Sequence, residues 1–582
     1  MPEDPSELLN SPIRYYIRRH RKTVTLGLLC LLVTNALETL VPWMVGRTLD
    51  QITAEARLEA VARWIAGLFV VLVFLSLFRY LWRVFWATFH HTAAEQLRNR
   101  VFEHMVLLGP SFYRPRKIGQ LLSFIANDTN SFRMGIGPGL LVLFDGLFLI
   151  CLILPMMISI SWTWTWQTLI LMPFVPFTVQ WILEHLHLEY HHRQERFADM
   201  SGSAQEIVSG IRTIKSFARE NEQTREFNVH SQRFREVCDR VAWWDAIFGP
   251  SLELPVALGA VLLLLLGAPR VADGSVTIGQ FFTFYQYIQR MIWPMSAIGI
   301  GLGQVQEARG AFRRLAEVFG FAPDVPDHGD IALDRFETLE VRNLSFTYPG
   351  TSVQALKNIS FQMRRGQSLG IVGLTGAGKS TLIELLTRQY PVPPGTILVN
   401  GVSVERIRLT SLRRLFVVAP QEAFLFSRRV ADNLALGLSQ WDPEDLTEAA
   451  AQVRLDQEIE TWPGGYEALV GERGVNLSGG QKQRMALARA VARDADLVIL
   501  DDSLSAVDAK TEAEILHRLR DRLSGATSIV ASHRLASVRA ADQILVLHHG
   551  QLEAIGRHEE LLGASATYRE LHHMQSEGAS HE

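Results

Sequence analysis

The chain has 582 residues, too many for one ordinary domain, and 48% of them are hydrophobic. A formal net charge of −3 argues against nucleic acid as the main partner. The three cysteines lack ligand spacing, so neither a disulfide framework nor a metal cluster is predicted.

The first half of the chain contains long apolar stretches, each about long enough to cross a hydrocarbon core of roughly 30 Å. They lie near 24–46, 65–85, 139–160, 166–183, 247–267 and 278–301. Buried helices of a soluble protein are the alternative, but so many long spans disfavour it. We therefore predict an all-α transmembrane domain of six helices within residues 1–320.

Basic residues are distributed unevenly around these spans. Arg and Lys are frequent before the first span and in segments 86–138 and 184–246, whereas the connections near 48–60, 161–165 and 268–277 contain few. The positive-inside rule then places both termini in the cytoplasm. The first apolar stretch is too long and starts too late for a cleaved signal peptide, so we expect none.

The two basic segments read as amphipathic helices that extend the spans into the cytoplasm. Small polar clusters interrupt each one, which predicts turns near 126–134 and 213–221 that face whatever lies beneath the membrane. A Pro-, Asp- and Gly-rich stretch follows, so we expect a linker at 321–336 and a second domain at 337–575.

Three carboxylates fall within the spans, where ionisable groups are costly and often functional: Glu38, Asp145 and Glu253. With nearby aromatic residues they could line a cavity for hydrophobic cations. We favour the plainer interpretation that they bond to neighbouring helices or to Arg79 and Arg83.

The second domain opens with a phosphate-binding loop, Gly373-Leu-Thr-Gly-Ala-Gly-Lys-Ser380, which matches G-x-x-x-x-G-K-[ST]. An apolar strand precedes it and an apolar-periodic helix follows, so backbone amides at a helix N-terminus would face an anion. Lys379 would reach the β- and γ-phosphates of a nucleotide, and the Ser380 hydroxyl would bind Mg²⁺.

A second anion receptor is predicted at Leu477-Ser-Gly-Gly-Gln481, just before a helical run. An ordinary helix cap, in which Ser478 satisfies its own helix, is the alternative interpretation. Both functions can coexist at one helix start.

Together with further motifs, these residues give the chain a nearly full-length resemblance to a half-transporter of the ATP-binding cassette (ABC) exporters. Phe346-Thr-Tyr348-Pro resembles the aromatic A-loop, Val417–Gln421 the Q-loop, Leu497–Asp501 the Walker B strand, and Ala531-Ser-His533 the switch histidine. The resemblance implies an α/β P-loop nucleotide-binding domain after the six-helix domain. It also implies that the Leu477–Gln481 signature closes over ATP held by another chain.

The resemblance assigns a role to each motif residue. Those that bind ATP are Tyr348, Gly373, Leu374, Thr375, Gly376, Ala377, Gly378, Lys379, Ser380 and Thr381. Those that contact a partner's ATP are Leu477, Ser478, Gly479, Gly480 and Gln481, with a D-loop at Ser505, Ala506, Val507 and Asp508. The Mg²⁺ ligands are Ser380, Gln421 and Asp501, and the catalytic residues are Asp502, His533 and Gln421.

One residue departs from the family pattern. Asp502 stands where catalytically competent members usually have glutamate, and aspartate is shorter by one methylene, roughly 1.5 Å of reach. A misplaced general base forfeits much of an effect of about 10²–10⁴-fold. We therefore expect a site that binds ATP but hydrolyses it slowly, as in one half of a heterodimer.

The resemblance implies an ATPase that exports a hydrophobic or amphiphilic substrate (a drug, lipid or peptide) across the bacterial inner membrane by alternating access. The expected cofactors are ATP and Mg²⁺, and the expected partners are a second half-transporter, lipid and the substrate, without nucleic acid. The alternatives are a homodimeric exporter in which Asp502 is a working base, and an exporter-fold importer of a small ligand such as a siderophore. A channel with regulatory ATP binding is a more distant alternative.

Overall fold

The computed structural model describes residues 5–54, 57–170, 174–438, 440–471, 474–493, 495–522 and 527–579. The chain divides into two compact units. One comprises Met1–Val106 and Lys117–Phe321, and the other comprises Leu107–Arg116 and Ala322–Glu582. A short segment inside the helical half, Leu107–Arg116, thus belongs with the C-terminal unit.

In the N-terminal half, all of the regular secondary structure among the described residues is helical. Its helices are α1 Pro5–Asn10, α2 Pro12–Arg19, α3 Arg21–Thr53, α4 Leu58–Leu107, α5 Pro110–Tyr113, α6 Ile118–Ile160, α7 Trp162–Leu169, α8 Phe174–Ser209, α9 Ile211–Ser216, α10 Glu220–Ala272, α11 Ile278–Arg290 and α12 Ile292–Gly320.

Within the described residues, four of these helices are long and apolar enough to cross a membrane: α3, α4, α6 and α10. The other two predicted spans are each divided. The stretch 166–183 falls across α7 and α8 and includes residues 171–173, which lie outside the described part, and 278–301 falls across α11 and α12. The count of six membrane crossings therefore stays a prediction.

The turn expected near 126–134 is not present. These residues lie inside the continuous helix α6, which has π-helical turns at Phe124–Asp128 and Gly135–Gly139. The polar cluster that suggested a break is accommodated in the helix because Asp128 is buried and accepts hydrogen bonds from Arg314. The chain instead turns between α4 and α6, in the segment Leu107–Arg116 with its continuation to Lys117.

The second expected turn, near 213–221, coincides with α9 and the break after it, between the long helices α8 and α10. Ala218 has a φ of 52° there, the left-handed conformation of a tight reversal. That this turn transmits movement remains a prediction.

Two of the three carboxylates that lie in the predicted spans, Glu38 and Asp145, have partners in the structure. Glu38 pairs with Arg79 at 3.5 Å and with Arg290 at 3.2 Å, and the Asp145 carboxylate accepts hydrogen bonds from Asn35 and Trp293. The preferred interpretation, that these groups bond to neighbouring helices, is confirmed for both. Arg290 was not anticipated, and Arg83 lies over the Trp82 ring instead.

Helices α3 and α11 approach each other closely at two glycines. A Cβ added to Gly279 would lie 2.0 Å from the Gly46 carbonyl oxygen, and one added to Gly46 would lie 2.0 Å from the Thr283 hydroxyl. Asp50 fastens the same contact, since its carboxylate accepts hydrogen bonds from the Thr277 hydroxyl at 2.9 Å and the Gly279 amide at 2.8 Å.

The C-terminal unit contains two sheets and the helices that cover them. Its strands are β1 Thr338–Thr347, β2 Gln354–Arg364, β3 Ser368–Val372, β4 Ile397–Val399, β5 Val402–Ser403, β6 Phe416–Ala419, β7 Leu497–Asp501, β8 Thr527–Ala531, β9 Gln543–His548 and β10 Gln551–Gly556. Its helices are α13 Lys379–Leu386, α14 Leu409–Leu415, α15 Val430–Leu434, α16 Pro443–Gln452, α17 Asp456–Thr461, α18 Gly479–Ala492, α19 Ala509–Arg522, α20 Leu535–Val538, α21 His558–Ala564 and α22 Ala566–Ala579.

The six-stranded sheet has the order β10-β9-β3-β8-β7-β6, in which β9, β3, β8, β7 and β6 are parallel. The parallel strands are short and apolar; every residue of β7 is buried. An antiparallel sheet, β2-β1-β4-β5, completes the unit. The carboxyl ends of neighbouring parallel strands meet at one edge, so the loops after β3, β8, β7 and β6 converge there.

Candidate nucleotide site

Those four loops carry four of the predicted motifs, and with Tyr348 they line a cavity of about 670 Å³. The phosphate-binding loop follows β3, Gln421 follows β6, Asp501 ends β7 with Asp502 after it, and His533 follows β8. The lining includes Tyr348, Thr375, Gly376, Ala377, Gly378, Lys379, Ser380, Thr381, Gln421, Asp501, Asp502 and His533. Sheet topology thus assembles residues that are up to 185 positions apart in sequence, from Tyr348 to His533.

The phosphate-binding loop requires glycine at its helix start. Gly378 has a φ of 102°, and a Cβ there would lie 2.7 Å from Leu356 and 3.1 Å from the Ala355 carbonyl oxygen. A side chain does not fit here because the loop lies close to β2. Helix α13 begins at the next residue, Lys379. The first amides of α13 have no partner within their own helix and are suited to bind phosphate oxygens.

Lys379 is held by the loop itself. Its ammonium donates to the Gly373 carbonyl at 2.7 Å and to the Leu374 carbonyl at 3.3 Å. Burial lowers the pKa of Lys379, while the charges of Asp502 and Asp501 oppose that shift. A polyanionic ligand would supply the negative charge that favours the protonated amine. Gly373 and Leu374 therefore contribute carbonyls to Lys379, rather than lining the cavity.

Hard oxygen donors that fit Mg²⁺ lie beside the phosphate-binding loop. The Ser380 hydroxyl donates to the Asp501 carboxylate at 3.1 Å, and Asp501 is only 8% exposed. Burial raises the pKa of Asp501, the Ser380 hydrogen bond opposes that shift, and the neighbouring Asp502 charge adds to it. A divalent cation would relieve this crowding of buried negative charge, so the donor set fits the expected metal.

Two of the three expected catalytic side chains, Asp502 and His533, are paired with each other. Nδ1 of His533 lies 2.9 Å from both carboxylate oxygens of Asp502, and the Ser532 hydroxyl is 3.5 Å from one of them. Asp502 has a φ of 47°, and its amide donates to the Ala531 carbonyl at 2.8 Å. The short side chain is therefore fixed on a left-handed backbone and directed at the histidine.

Tyr348 borders the cavity and is fixed at both its ring and its hydroxyl. The hydroxyl hydrogen-bonds to Thr381 at 2.8 Å and donates to Glu384 at 2.9 Å, both in α13. The guanidinium of Arg114 lies 4.5 Å from the ring centroid. Sequence reasoning identified Tyr348 and Thr381 but missed Glu384 and Arg114, which no nucleotide motif includes.

The signature residues do not line this cavity within the described part of the chain. Ser478 caps α18: its hydroxyl accepts from the Gln481 amide at 3.2 Å, and the Gln481 side chain accepts from the Ser478 amide at 2.9 Å. The capping interpretation is thus confirmed. Gly479 and Gly480 form the first turn of α18, where amides without intrahelical partners are available to an anion from outside.

Gln483, another residue that the motif analysis missed, connects the signature helix to the D-loop. Its side-chain amide donates to the Ser505 hydroxyl at 3.0 Å, and its side-chain carbonyl accepts from the Ala506 amide at 2.8 Å. The same amide group lies 3.5 Å from the Gln421 carbonyl oxygen. The sequence signal that could have identified Gln483 is its position two residues after the signature, on the same predicted helix.

Comparison with known proteins agrees with this architecture. Residues 24–295 match the family of ABC transporter transmembrane regions, and residues 356–505 match the ABC transporter family. The chain is 35% identical over 570 residues to the multidrug resistance-like ATP-binding protein MdlA of Escherichia coli (strain K12), covering 97% of this chain and 96% of that protein.

Other relatives extend the comparison. The probable multidrug resistance ABC transporter ATP-binding/permease protein YheI of Bacillus subtilis (strain 168) is 33% identical over 96% of each chain. An ATP-dependent lipid A-core flippase of Syntrophus aciditrophicus (strain SB) is 29% identical over 96% of this chain and 93% of that protein. The solved structure of a bacterial Atm1-family ABC exporter with ATP bound superposes with a TM-score of 0.78 at 23% identity, covering 95% of this chain and 99% of that one.

Proposed function

This chain belongs to the ABC transporter family, as an ATPase coupled to transport, and we propose that it is one half of a heterodimeric exporter of hydrophobic or amphiphilic substrates. Its own nucleotide site binds Mg-ATP and hydrolyses it slowly. The observation that carries the proposal is the Asp502–His533 pair within a cavity that is lined by eight of the ten expected ATP-binding residues, Tyr348 and 375–381.

The proposal of slow hydrolysis rests on the short Asp502 side chain and on its contact with His533. A general base must come within hydrogen-bond distance of the attacking water. The Asp502 side chain is one methylene short of glutamate, and both of its oxygens face the His533 ring at 2.9 Å. Both groups expected to act on the γ-phosphate and its water are therefore engaged with each other.

The phosphate and metal ligands support retained ATP binding. Lys379, Ser380 and Asp501 have the contacts expected of a working loop. When bound, Mg²⁺ neutralises charge on the phosphates. Ser380, Asp501 and Gln421 are the residues that would hold it, and Tyr348 provides an aromatic surface for adenine.

A second subunit is proposed because the signature is separated from this cavity. The α18 start presents amides that would close over ATP bound by the partner, and the partner's signature would close over ATP bound here. ATP then favours the closed state because its phosphates interact with both subunits only when they meet. Closure and reopening would drive alternating access in the helical units, with both termini cytoplasmic in a bacterial inner membrane.

Export of an amphiphile is proposed from the relatives, which include multidrug resistance-like proteins and a lipid A-core flippase. A homodimeric exporter with Asp502 as a working base is the second candidate, because Asp502 retains a carboxylate at the expected position.

The test is to isolate the transporter from native membranes through a tag on this chain, identify its subunits, and measure ATP turnover and dye transport in proteoliposomes. The proposal expects a second, different half-transporter and ATP-dependent transport. A complex of identical subunits with brisk ATPase activity that Asp502→Asn abolishes would contradict it.

A further inference from the structure

Arg114 occupies an unusual place in the C-terminal unit. It lies in Leu107–Arg116, the connection between helices α4 and α6, yet this segment clusters with the nucleotide-binding fold. Asp324 anchors the segment, since its carboxylate accepts a hydrogen bond from the Ser111 amide at 2.8 Å. A Cβ on the adjacent Gly109 would lie 2.3 Å from the same carboxylate, so the fit is close.

The Arg114 guanidinium contacts three side chains of the nucleotide-binding fold. It lies 4.5 Å from the Tyr348 ring centroid and 5.2 Å from that of Tyr390, both within the range of a cation–π interaction. It also donates to the two Glu384 oxygens at 3.0 and 3.3 Å.

These contacts form a closed network around Tyr348. Glu384 accepts from Arg114 and from the Tyr348 hydroxyl, while Arg114 covers the Tyr348 ring. Tyr390 adds an edge-to-face contact with Tyr348, at 5.3 Å between centroids and 81° between planes. The tyrosine therefore cannot rotate without disturbing the Arg114–Glu384 pair.

Tyr348 reaches the cavity, but Arg114 does not. Tyr348 lines the cavity, whereas Arg114, Glu384 and Tyr390 are not among its lining residues. A base bound in the cavity could therefore contact Tyr348, whereas Arg114 lies outside the lining. Arg114 would then act on the base through Tyr348 rather than by direct contact.

We propose that Arg114 is a positioning residue for nucleobase recognition: it holds Tyr348 in the orientation that stacks on adenine. This inference rests on the proposed role of Tyr348 as the adenine platform. It assigns to Leu107–Arg116 an indirect part in ligand binding, through Tyr348, beyond linking two helices.

The test compares ATP with inorganic tripolyphosphate, a probe that has the phosphates and lacks the base. The intact transporter is photolabelled with a trace of an azido-adenine nucleotide plus Mg²⁺, and labelling of this chain is competed with either probe. Arg114→Ala should raise the ATP concentration for half-displacement by about five-fold, the scale of losing one cation–π contact and its hydrogen bonds. For Arg114→Ala, the tripolyphosphate concentration for half-displacement should stay within about two-fold of the wild-type value. The ATP concentration for half-displacement of Arg114→Lys should lie between those of wild type and Arg114→Ala.

Matched variants distinguish a failure of this inference from a failure of the proposed function. Arg116→Ala removes an arginine from the same segment whose guanidinium lies over Phe112, and should leave both values unchanged. Equal values for Arg114→Ala and wild type, or equal weakening toward both probes, would overturn the inference. The proposed function itself would fail if the wild-type chain did not bind ATP, or if Lys379→Ala did not weaken ATP binding.

Discussion

The His533 ring faces both carboxylate oxygens of Asp502 at 2.9 Å, so the expected switch and the expected base form one closed pair. A glutamate at this position would extend roughly 1.5 Å further than aspartate. The pair thus connects a single substitution in the sequence to a specific arrangement of the site.

The first prediction concerns this residue. Asp502→Glu should raise the ATP turnover of this chain's own site by about 10-fold or more, because it restores the reach of a general base. Asp502→Asn should change turnover less than about two-fold, far below the roughly 10²–10⁴-fold effect of a well-placed general base. Steady-state phosphate release by the purified transporter, with the partner's own base mutated to expose this site, measures both variants.

A second prediction concerns Gln483, which joins the signature helix to the D-loop through Ser505 and Ala506. Gln483→Ala removes both hydrogen bonds and should lower ATPase activity of the transporter about 10-fold, an effect of about 1.4 kcal/mol on the barrier. ATP affinity should change little because Gln483 does not line the cavity. Gln483→Glu retains the acceptor for the Ala506 amide and should have an intermediate effect; equal activity of all three forms would contradict this role.

The third prediction tests the close approach of α3 and α11. Gly279→Ala would place a methyl group 2.0 Å from the Gly46 carbonyl oxygen, so the helices must separate and the thermal midpoint in detergent should fall by several degrees. Gly303→Ala is the control, because a Cβ there would meet nothing within 4 Å. A midpoint for Gly279→Ala no lower than that of the control would show that the helices do not pack this closely.

The fourth prediction concerns Asp128, which is 4% exposed and accepts from Nε of Arg314 at 3.0 Å. Asp128→Ala leaves the guanidinium without this partner, and breaking such a pair costs about 3 kcal/mol where both groups are buried. Arg314 is half exposed, so we expect a smaller loss, read as a lower thermal midpoint than that of Arg313→Ala. No loss relative to that control would indicate that α6 and α12 do not depend on the pair.

Much of the C-terminal unit could be predicted from the sequence because its motifs are local. The phosphate-binding loop, the buried β7 strand and the signature cap each depend on residues within about ten positions, and their spacing dictates a backbone shape. Glu384 and Arg114 could not be found this way. Their function depends on a contact between segments 270 positions apart, which no local pattern encodes.

The helical half shows the opposite limitation. Hydropathy indicated where helices lie, but polar residues at 126–130 were interpreted as a turn. Asp128 is instead buried against Arg314, and its partner lies 186 positions away. A polar cluster in an amphipathic segment marks a turn or a buried ion pair equally well, and only tertiary contacts distinguish the two. The 107–117 turn lacked such a cluster and was missed.

Vanadate trapping tests the central claim most directly. The purified transporter is incubated with Mg²⁺, vanadate and a photoactivatable ATP analogue at a temperature that permits turnover, washed and irradiated, and the label on each subunit is measured. The account predicts vanadate-dependent trapping on the partner subunit, and only exchangeable nucleotide on this chain. Vanadate-dependent trapping on this chain that Asp502→Asn eliminates would contradict it.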